Sequence, residues 1–326
     1  MLGHDAPERA FLDGWQSGRL HHAWLLAGPQ GLGKAHFARA IARFLLSRAD
    51  ALPDPAVTSL AAAGDPVADR LIAAGNHPEF LALERLVKDG GKDFARNITV
   101  DQVRGLINRM QMTIAIGHWR VAIIDAIDDL EAGAANALLK TLEEPPAKTL
   151  FLLVSHSPGR LLPTIRSRCR TLRFQPLAED MLRTWLTQQR PIADMRQIAA
   201  AVTAAGGIPG RALELVDGDT AQMEQRLLDI ASTGDPGNRL REALARDVAG
   251  VAGRERFRLL LDLAPRLLLR LRTGRDGDAL ARLLAAWDGV HASARTAVSG
   301  SYDPGMVAFE IGNHFAGLGT ASHARS

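Results

Sequence analysis

The sequence predicts an α/β domain built on a parallel sheet, then a helical lid and an all-α C-terminal bundle. Three observations predict it. The segment Gly28-Pro29-Gln30-Gly31-Leu32-Gly33-Lys34-Ala35 is a phosphate-loop (P-loop) pattern in all but its last residue. Short apolar runs alternate with helical patterns from Trp24 to Val154, the signature of strands covered by helices. After Pro176 the pattern is helical throughout.

The elements follow in order. Trp24-Leu25-Leu26-Ala27 is an apolar run that reads as a buried strand. The Gly-rich turn follows it, and Phe37, Ile41 and Leu45 then repeat on one face of a helix from Lys34 to about Arg48. Strand, glycine loop and helix are the context that a P-loop needs. Residues 49–76, rich in Ala, Asp and Pro, read as an insertion with one helix. Phe80 to Leu83 is the second strand, and Gly90-Gly91 marks a loop or hairpin within 84–97. Thr99 caps a helix to about Gln111, with Val103, Leu106, Ile107 and Met110 on its apolar face. Arg120 to Ile124 is the third strand and ends at Asp125. A helix over 132–143 stops before Pro145-Pro146, and Thr149 to Val154 is the fourth strand. The break at Gln175-Pro176 closes a first domain, 1–176. Helices at 178–189, 193–204 and 208–216 form a lid, 177–217. Helices near 220–232, 236–249, 253–272, 276–296 and 304–318 form a third domain, 218–326.

Composition narrows the class. The chain has 326 residues, a net charge of +3 and one cysteine, Cys169, so neither an internal disulfide nor a cysteine-based zinc cluster can form. No apolar stretch reaches the roughly 18–20 residues of a membrane span, and Met1 to Arg9 lacks the apolar region of a secretory leader. A cytoplasmic protein is expected. The mild positive charge permits nucleic-acid contact without arguing for it.

The chemistry of the P-loop is incomplete. Its backbone amides can cradle phosphate and Lys34 can reach the β and γ phosphates. Ala35, however, replaces the Ser or Thr whose hydroxyl holds magnesium. Asp125, at the tip of the third strand, stands where a P-loop hydrolase places its magnesium-orienting acid, or else it caps the next turn. The next residue is Ala126, where many P-loop hydrolases carry a Glu that activates water, so similarity to them implies that metal binding and water activation are weakened together.

Residues 134–146, Ala-Ala-Asn-Ala-Leu-Leu-Lys-Thr-Leu-Glu-Glu-Pro-Pro, and 161–169, Leu-Leu-Pro-Thr-Ile-Arg-Ser-Arg-Cys, complete the pattern. With the P-loop, they resemble the AAA+ clamp-loader subunits of bacterial DNA polymerase III over residues 20–176. The degraded nucleotide site resembles the delta prime branch rather than the ATP-hydrolysing gamma/tau branch. The resemblance implies a RecA-like AAA+ domain, a helical lid and a C-terminal collar. It implies that Arg168, of Ser167-Arg168-Cys169, enters a neighbouring subunit's ATP site as an arginine finger, and that Ser155 is a polar sensor after the fourth strand. A guanidinium delivered in trans stabilises the charge spread over γ-phosphoryl oxygens. Cys169 is expected to pack as a small apolar residue.

Three departures bear on that resemblance. The insertion 49–76 lacks the four cysteines of the zinc module that many relatives carry. Gly210, with Arg211 one step later, occupies the position where ATP-hydrolysing relatives place a sensor arginine. Ala35 and Ala126 are the third. The expected cofactor position is therefore none required, with ATP at most bound passively at Gly28, Gly31, Gly33, Lys34, Asp125 and Ser155, and no zinc. The expected partners are gamma/tau and delta subunits, a sliding clamp and, through the complex, primed DNA; no membrane is expected. Arg104 and Arg109 are candidates for phosphate contacts, against the plainer reading of a solvated helix face. The Leu-Arg run 258–272 is not a membrane helix, because Arg266, Arg270 and Arg272 interrupt it, and it is expected to be a collar helix that packs against other subunits. A self-sufficient P-loop ATPase of gamma type, a nucleotide-binding regulator and, less readily, a P-loop small-molecule kinase stay open as alternatives.

Overall fold

The computed structural model describes residues 3–48, 54, 56–61, 64–87, 95–217, 220–250, 253–299 and 303–319. The chain divides into two compact units, Met1–Trp185 with Gly206–Arg211, and Leu186–Ala205 with Ala212–Ser326. The segment 177–217, expected as a lid, is thus shared between the two.

The first unit runs α1 (Asp5–Gln16), β1 (Ala23–Ala27), α2 (Lys34–Leu46), α3 (Pro66–Ala73), β2 (Phe80–Glu84), α4 (Val100–Met110), β3 (Arg120–Asp125), α5 (Ala132–Glu143), β4 (Thr149–Ser155), α6 (Pro163–Arg166) and β5 (Arg170–Arg173). The strands form one parallel sheet in the order β2-β3-β4-β1-β5. Side chains alternate across it, as a period of two requires. Trp24, Leu26, Val121, Ile123, Leu150 and Leu152 face one layer with Phe37 and Ile41 of α2. Leu25, Ala122, Ile124, Phe151 and Leu153 face the other with Leu106 of α4 and Leu138 of α5. Burial on both faces explains why the central strands read as continuous apolar runs. The helix after β1 lies on the first face and the helices after β3 and β4 on the second. The neighbouring strands β1 and β4 thus send their chains to opposite faces, the switch point where such sheets open a crevice at their carboxyl ends. This is the RecA-like α/β architecture with a helical C-terminal part.

Three elements went unread in the sequence: α1, the four-residue α6 and β5. Helix α1 precedes the P-loop strand and buries Phe11, Leu12 and Trp15 in the first-face core. Strand β5 is an edge strand in which only Leu172 is buried, so Arg-Thr-Leu-Arg carries almost no apolar signal. Charged side chains on an edge are the ordinary guard against unwanted pairing. The expected cap at Thr99 is present as a reciprocal pair: Gln102 N donates to Thr99 Oγ1 at 3.4 Å and Thr99 N donates to Gln102 Oε1 at 3.0 Å. Gly90-Gly91 lies outside the described residues.

The second unit is helical. It takes up the end of α7 (Glu179–Gln189), α8 (Met195–Ala205) and most of α9 (Pro209–Asp217), then α10 (Thr220–Thr233), α11 (Arg239–Val248), α12 (Arg254–Leu271), α13 (Gly277–Ser299) and α14 (Pro304–Ala316). Leu227, Leu244, Leu260, Leu267, Ile311 and Phe315 meet in its core. The Leu-Arg run is α12, with Leu260, Leu263, Leu267 and Leu268 buried and Arg270 paired with Glu224 at 2.6 Å. Among the described residues no helix is long and apolar enough to cross a membrane.

One buried ion pair ties the start of β3 to the rest of its layer. Glu79 and Arg120 are 1% and 4% exposed, and Arg120 Nε donates to Glu79 Oε2 at 2.6 Å. Arg120 Nη1 also donates to the carbonyls of Met110 and Met112, at 2.8 and 2.7 Å, and Ala115 N donates to Glu79 Oε1 at 2.7 Å. The pair satisfies the backbone of the α4–β3 connection, which has no ladder of its own. Arg120→Met is expected to destabilise the chain by about 3–5 kcal/mol in urea titration, because it strands a buried carboxylate. The double variant Glu79→Met, Arg120→Met should recover part of that loss; a single-variant loss below about 1 kcal/mol would mean that the pair is dispensable.

Candidate functional site

The P-loop leaves the carboxyl end of β1, beside the carboxyl ends of β3 and β4. Gly28 N donates to Ser155 O at 3.3 Å and ties the loop to β4. Gly31 and Gly33 have φ of 84° and 81°, a left-handed backbone that side chains with a Cβ rarely adopt. Gly33 is the N-cap of α2. So Gly28, Gly31, Gly33, Lys34, Asp125 and Ser155 do come together in one place.

Their polar groups are turned largely toward the protein. Lys34 is 2% exposed, and its ammonium donates to the carbonyls of Gly28 and Pro29 at 2.6 and 2.5 Å. Burial pulls its pKa from 10.5 down to about 8, against the opposing pull of Asp125 and Asp128. Asp125 makes the converse shift. Burial raises its carboxyl above the usual range, with the negative charge of Glu84 adding to the effect and His156, Lys34 and Arg39 opposing it. Ser155 is fully buried, and its hydroxyl donates to Asp128 Oδ1 at 3.0 Å. Asp128 also accepts from the backbone N–H groups of His156, at 2.6 Å, and Ser157, at 3.1 Å. It therefore braces the turn after β4. Ala35 and Ala126 bring no oxygen to the site.

The outer side of the loop is covered by its own unit. Gly210 N donates to Gly31 O at 2.9 Å. A Cβ on Gly31 would stand 2.8 Å from Ile208 Cγ2, and one on Gly210 would stand 3.0 Å from Gly31 Cα. The two glycines meet backbone to backbone, which gives a physical reason for glycine at both positions. On another side His4 Nε2 lies 2.7 Å from Leu32 O, and its ring packs edge-on against Phe174 at 4.7 Å. Burial lowers the His4 pKa and so favours the neutral ring. Sequence reasoning missed His4 and Asp128. Neither sits in a motif, although an acid three residues past a strand tip was a visible signal for Asp128.

Arg168 stands elsewhere. In β5, Arg170 pairs with Trp24 and Arg173 with Ala27, so β5 begins where β1 begins. Arg168, two residues before β5, lies at the amino end of the sheet, and the P-loop leaves from the carboxyl end. Arg168 Nη2 donates to Glu143 Oε1 at 2.5 Å and Nη1 donates to Thr164 O at 2.9 Å. Arg166 is exposed, and Cys169 is packed against the second-face core with its thiol pushed up to about 12 by burial. That suits an inert packing residue rather than a nucleophile. Arg104 and Arg109 are exposed on α4, with Arg104 3.7 Å from Asp101.

Two measurements check this geometry. The chain has five lysines, so side-chain NMR can follow each. One ε-carbon should titrate with a midpoint of about 8 and disappear in Lys34→Met. The unfolded chain binds the extra proton between about 8 and 10.5, so this group makes stability rise with pH across that window. No lysine titrating below about 9.5 would contradict the buried ammonium. Gly210→Ala should cost about 1–3 kcal/mol through overpacking against Gly31, although helix propensity alone favours alanine. An unchanged or raised unfolding midpoint would show that the glycine contact is slack.

Residues 3–178 match the family described as DNA polymerase III, delta subunit. The chain is 36% identical over 188 residues to the DNA polymerase III subunit delta' of Pseudomonas aeruginosa, covering 58% of this chain and 53% of that protein. It is 34% identical over 222 residues to the corresponding Escherichia coli subunit, covering 68% and 62%. The DNA polymerase III subunit tau of Salmonella typhimurium is 31% identical over 223 residues, covering 67% of this chain and 32% of that protein. The chain therefore spans about half to three-fifths of the delta' relatives it matches. Higher identity to the delta' proteins than to tau agrees with the incomplete P-loop, and the chain belongs to the DNA polymerase III delta prime family.

Proposed function

We propose that this chain is a non-hydrolysing structural subunit of a DNA polymerase III clamp loader and that it donates Arg168 to the ATP site of an adjacent subunit. In this reading the assembly uses ATP to open a sliding clamp and place it on primed DNA. Gamma/tau and delta subunits are the partners, residues 218–326 form the collar through which they assemble, and residues 177–217 act as the lid. The working compartment is the cytoplasm. The chain requires no zinc and no nucleotide of its own.

The observation that carries the reading is the placement of Arg168 across the sheet from the P-loop. A guanidinium there has no access to a nucleotide bound by its own loop, and it is free to serve a neighbour's. The state of the P-loop supports the same division of labour. Lys34 is committed to the loop's own carbonyls, and Ala35 and Ala126 offer neither a metal ligand nor a base. Arg104 and Arg109 fit phosphate contacts by the assembled complex, which would be non-specific and salt-dependent.

The test is reconstitution with gamma/tau and delta subunits, followed by ATP turnover in the presence of clamp and primed DNA. The isolated chain should hydrolyse ATP no faster than background. Arg168→Ala should assemble normally and shift stability by no more than about 0.5 kcal/mol, yet slow stimulated turnover. An arginine finger contributes on the order of a thousandfold at one site; the summed rate falls less, because other interfaces carry their own. Arg168→Lys should rescue incompletely, since a point ammonium lacks the planar fork. Arg166→Ala, two residues away, should do less harm. Wild-type turnover by Arg168→Ala complexes would refute the finger. Robust turnover by the isolated chain, abolished in Lys34→Ala, would favour the self-sufficient ATPase instead.

A further inference from the structure

Arg168 is held by acceptors on two separate elements. Glu143, the last residue of α5, takes one terminal nitrogen at 2.5 Å, and the Thr164 carbonyl of α6 takes the other at 2.9 Å. Bonds to both terminal nitrogens fix the plane of the guanidinium, not only its position. Both acceptors stand on rigid ground: Leu142, beside Glu143, and Ile165, beside Thr164, are each 1% exposed in the second-face core. The two bonds leave the Nε–H and one hydrogen on each terminal nitrogen for an incoming oxyanion. A weaker contact to Ser167 Oγ, at 3.5 Å, takes up part of that remainder.

Glu143 is not explained by local stability. A carboxylate in the last turn of a helix opposes the helix dipole, where lysine or arginine is preferred. The Glu143 and Arg168 side chains are 48% and 32% exposed, and an ion pair so open to water stabilises the fold little. What the pair does supply is order: it removes most of the rotamer freedom of a long side chain before any ligand arrives. Pre-orientation of a group that acts on a transition state is where such order has its largest effect.

We propose that Glu143 is a positioning residue that presets the Arg168 guanidinium for the γ-phosphoryl group of a nucleoside triphosphate bound by the neighbouring subunit. This rests on the reading of Arg168 as a finger acting in trans. Glu143 touches no substrate; it acts only through Arg168. Its removal should therefore lower kcat and leave the KM for ATP nearly unchanged.

The test uses the assembled complex with clamp and primed DNA, and compares Glu143→Ala, Glu143→Gln, Arg168→Ala and the double alanine variant. Glu143→Ala is expected to reproduce roughly half or more of the kcat loss caused by Arg168→Ala, with KM changed by less than about twofold. Glu143→Gln keeps an acceptor oxygen and should restore most of that loss. The double variant should be no slower than Arg168→Ala alone, because the two residues act as one unit. If Arg168→Ala is slow but Glu143→Ala turns over at the wild-type rate or faster, the positioning role is overturned and the finger stands. If Glu143→Ala slows the double variant further, Glu143 acts by another route and the proposal is equally overturned. If Arg168→Ala itself matches wild type, the finger reading fails, and with it the role assigned to Glu143.

Discussion

Strand β1 is paired in parallel on both sides, with Ala27 opposite Ser155 of β4 and Trp24 opposite Arg170 of β5. That double pairing places the groups at both ends of the sheet. Because the strands run in one direction, the P-loop, Asp125 and Ser155 gather at one end. The turn into β5 brings Arg168 to the other. The five residues of β1 are wholly buried, so a slip of one register would turn Trp24 and Leu26 out of one core and Leu25 out of the other. The burial that makes β1 stable also makes the positions at its two ends non-negotiable.

At the carboxyl end the fold has kept the shape of a phosphate loop and redirected its polar groups. The ammonium of Lys34 satisfies loop carbonyls, Asp128 satisfies the hydroxyl of Ser155 and two N–H groups, and Gly210 closes against Gly31. Buried polar groups must find partners, and here they find them within the chain. These contacts tie the loop between β1 and α2 to β4 and to Gly210. The left-handed glycines remain necessary for the turn itself, whatever becomes of the chemistry.

At the amino end the logic is reversed. Arg168 is only partly buried and is secured by one carboxylate and one carbonyl. The finger role proposed for Arg168 requires that its own chain not satisfy it completely. Arg120 shows the opposite arrangement. It spends its guanidinium on Glu79 and on several carbonyls in a dry interior, which suits a brace and leaves nothing to offer a ligand.

Local signals in the chain were enough for the class of the fold and for the P-loop with its missing hydroxyl at Ala35, whereas Arg168 was singled out only by the resemblance of Ser167-Arg168-Cys169 to a clamp-loader motif. Periodicity and residues close in sequence carry the first two. The helices after Pro176 could also be located to within a few residues, since their apolar faces repeat along the chain. Strand β5 could not, because its single buried residue, Leu172, leaves no alternation to read, and α1 ran ahead of every motif. Packing in three dimensions turned Lys34 inward, set Gly210 on Gly31, placed His4 beside the loop and gave Arg168 to Glu143. Each of these joins residues from about 25 to 180 positions apart, or spends a polar group on a backbone carbonyl that no side-chain pattern announces. Sequence reports which groups are present; the closure of the sheet and the packing of the loops decide which of them are already occupied.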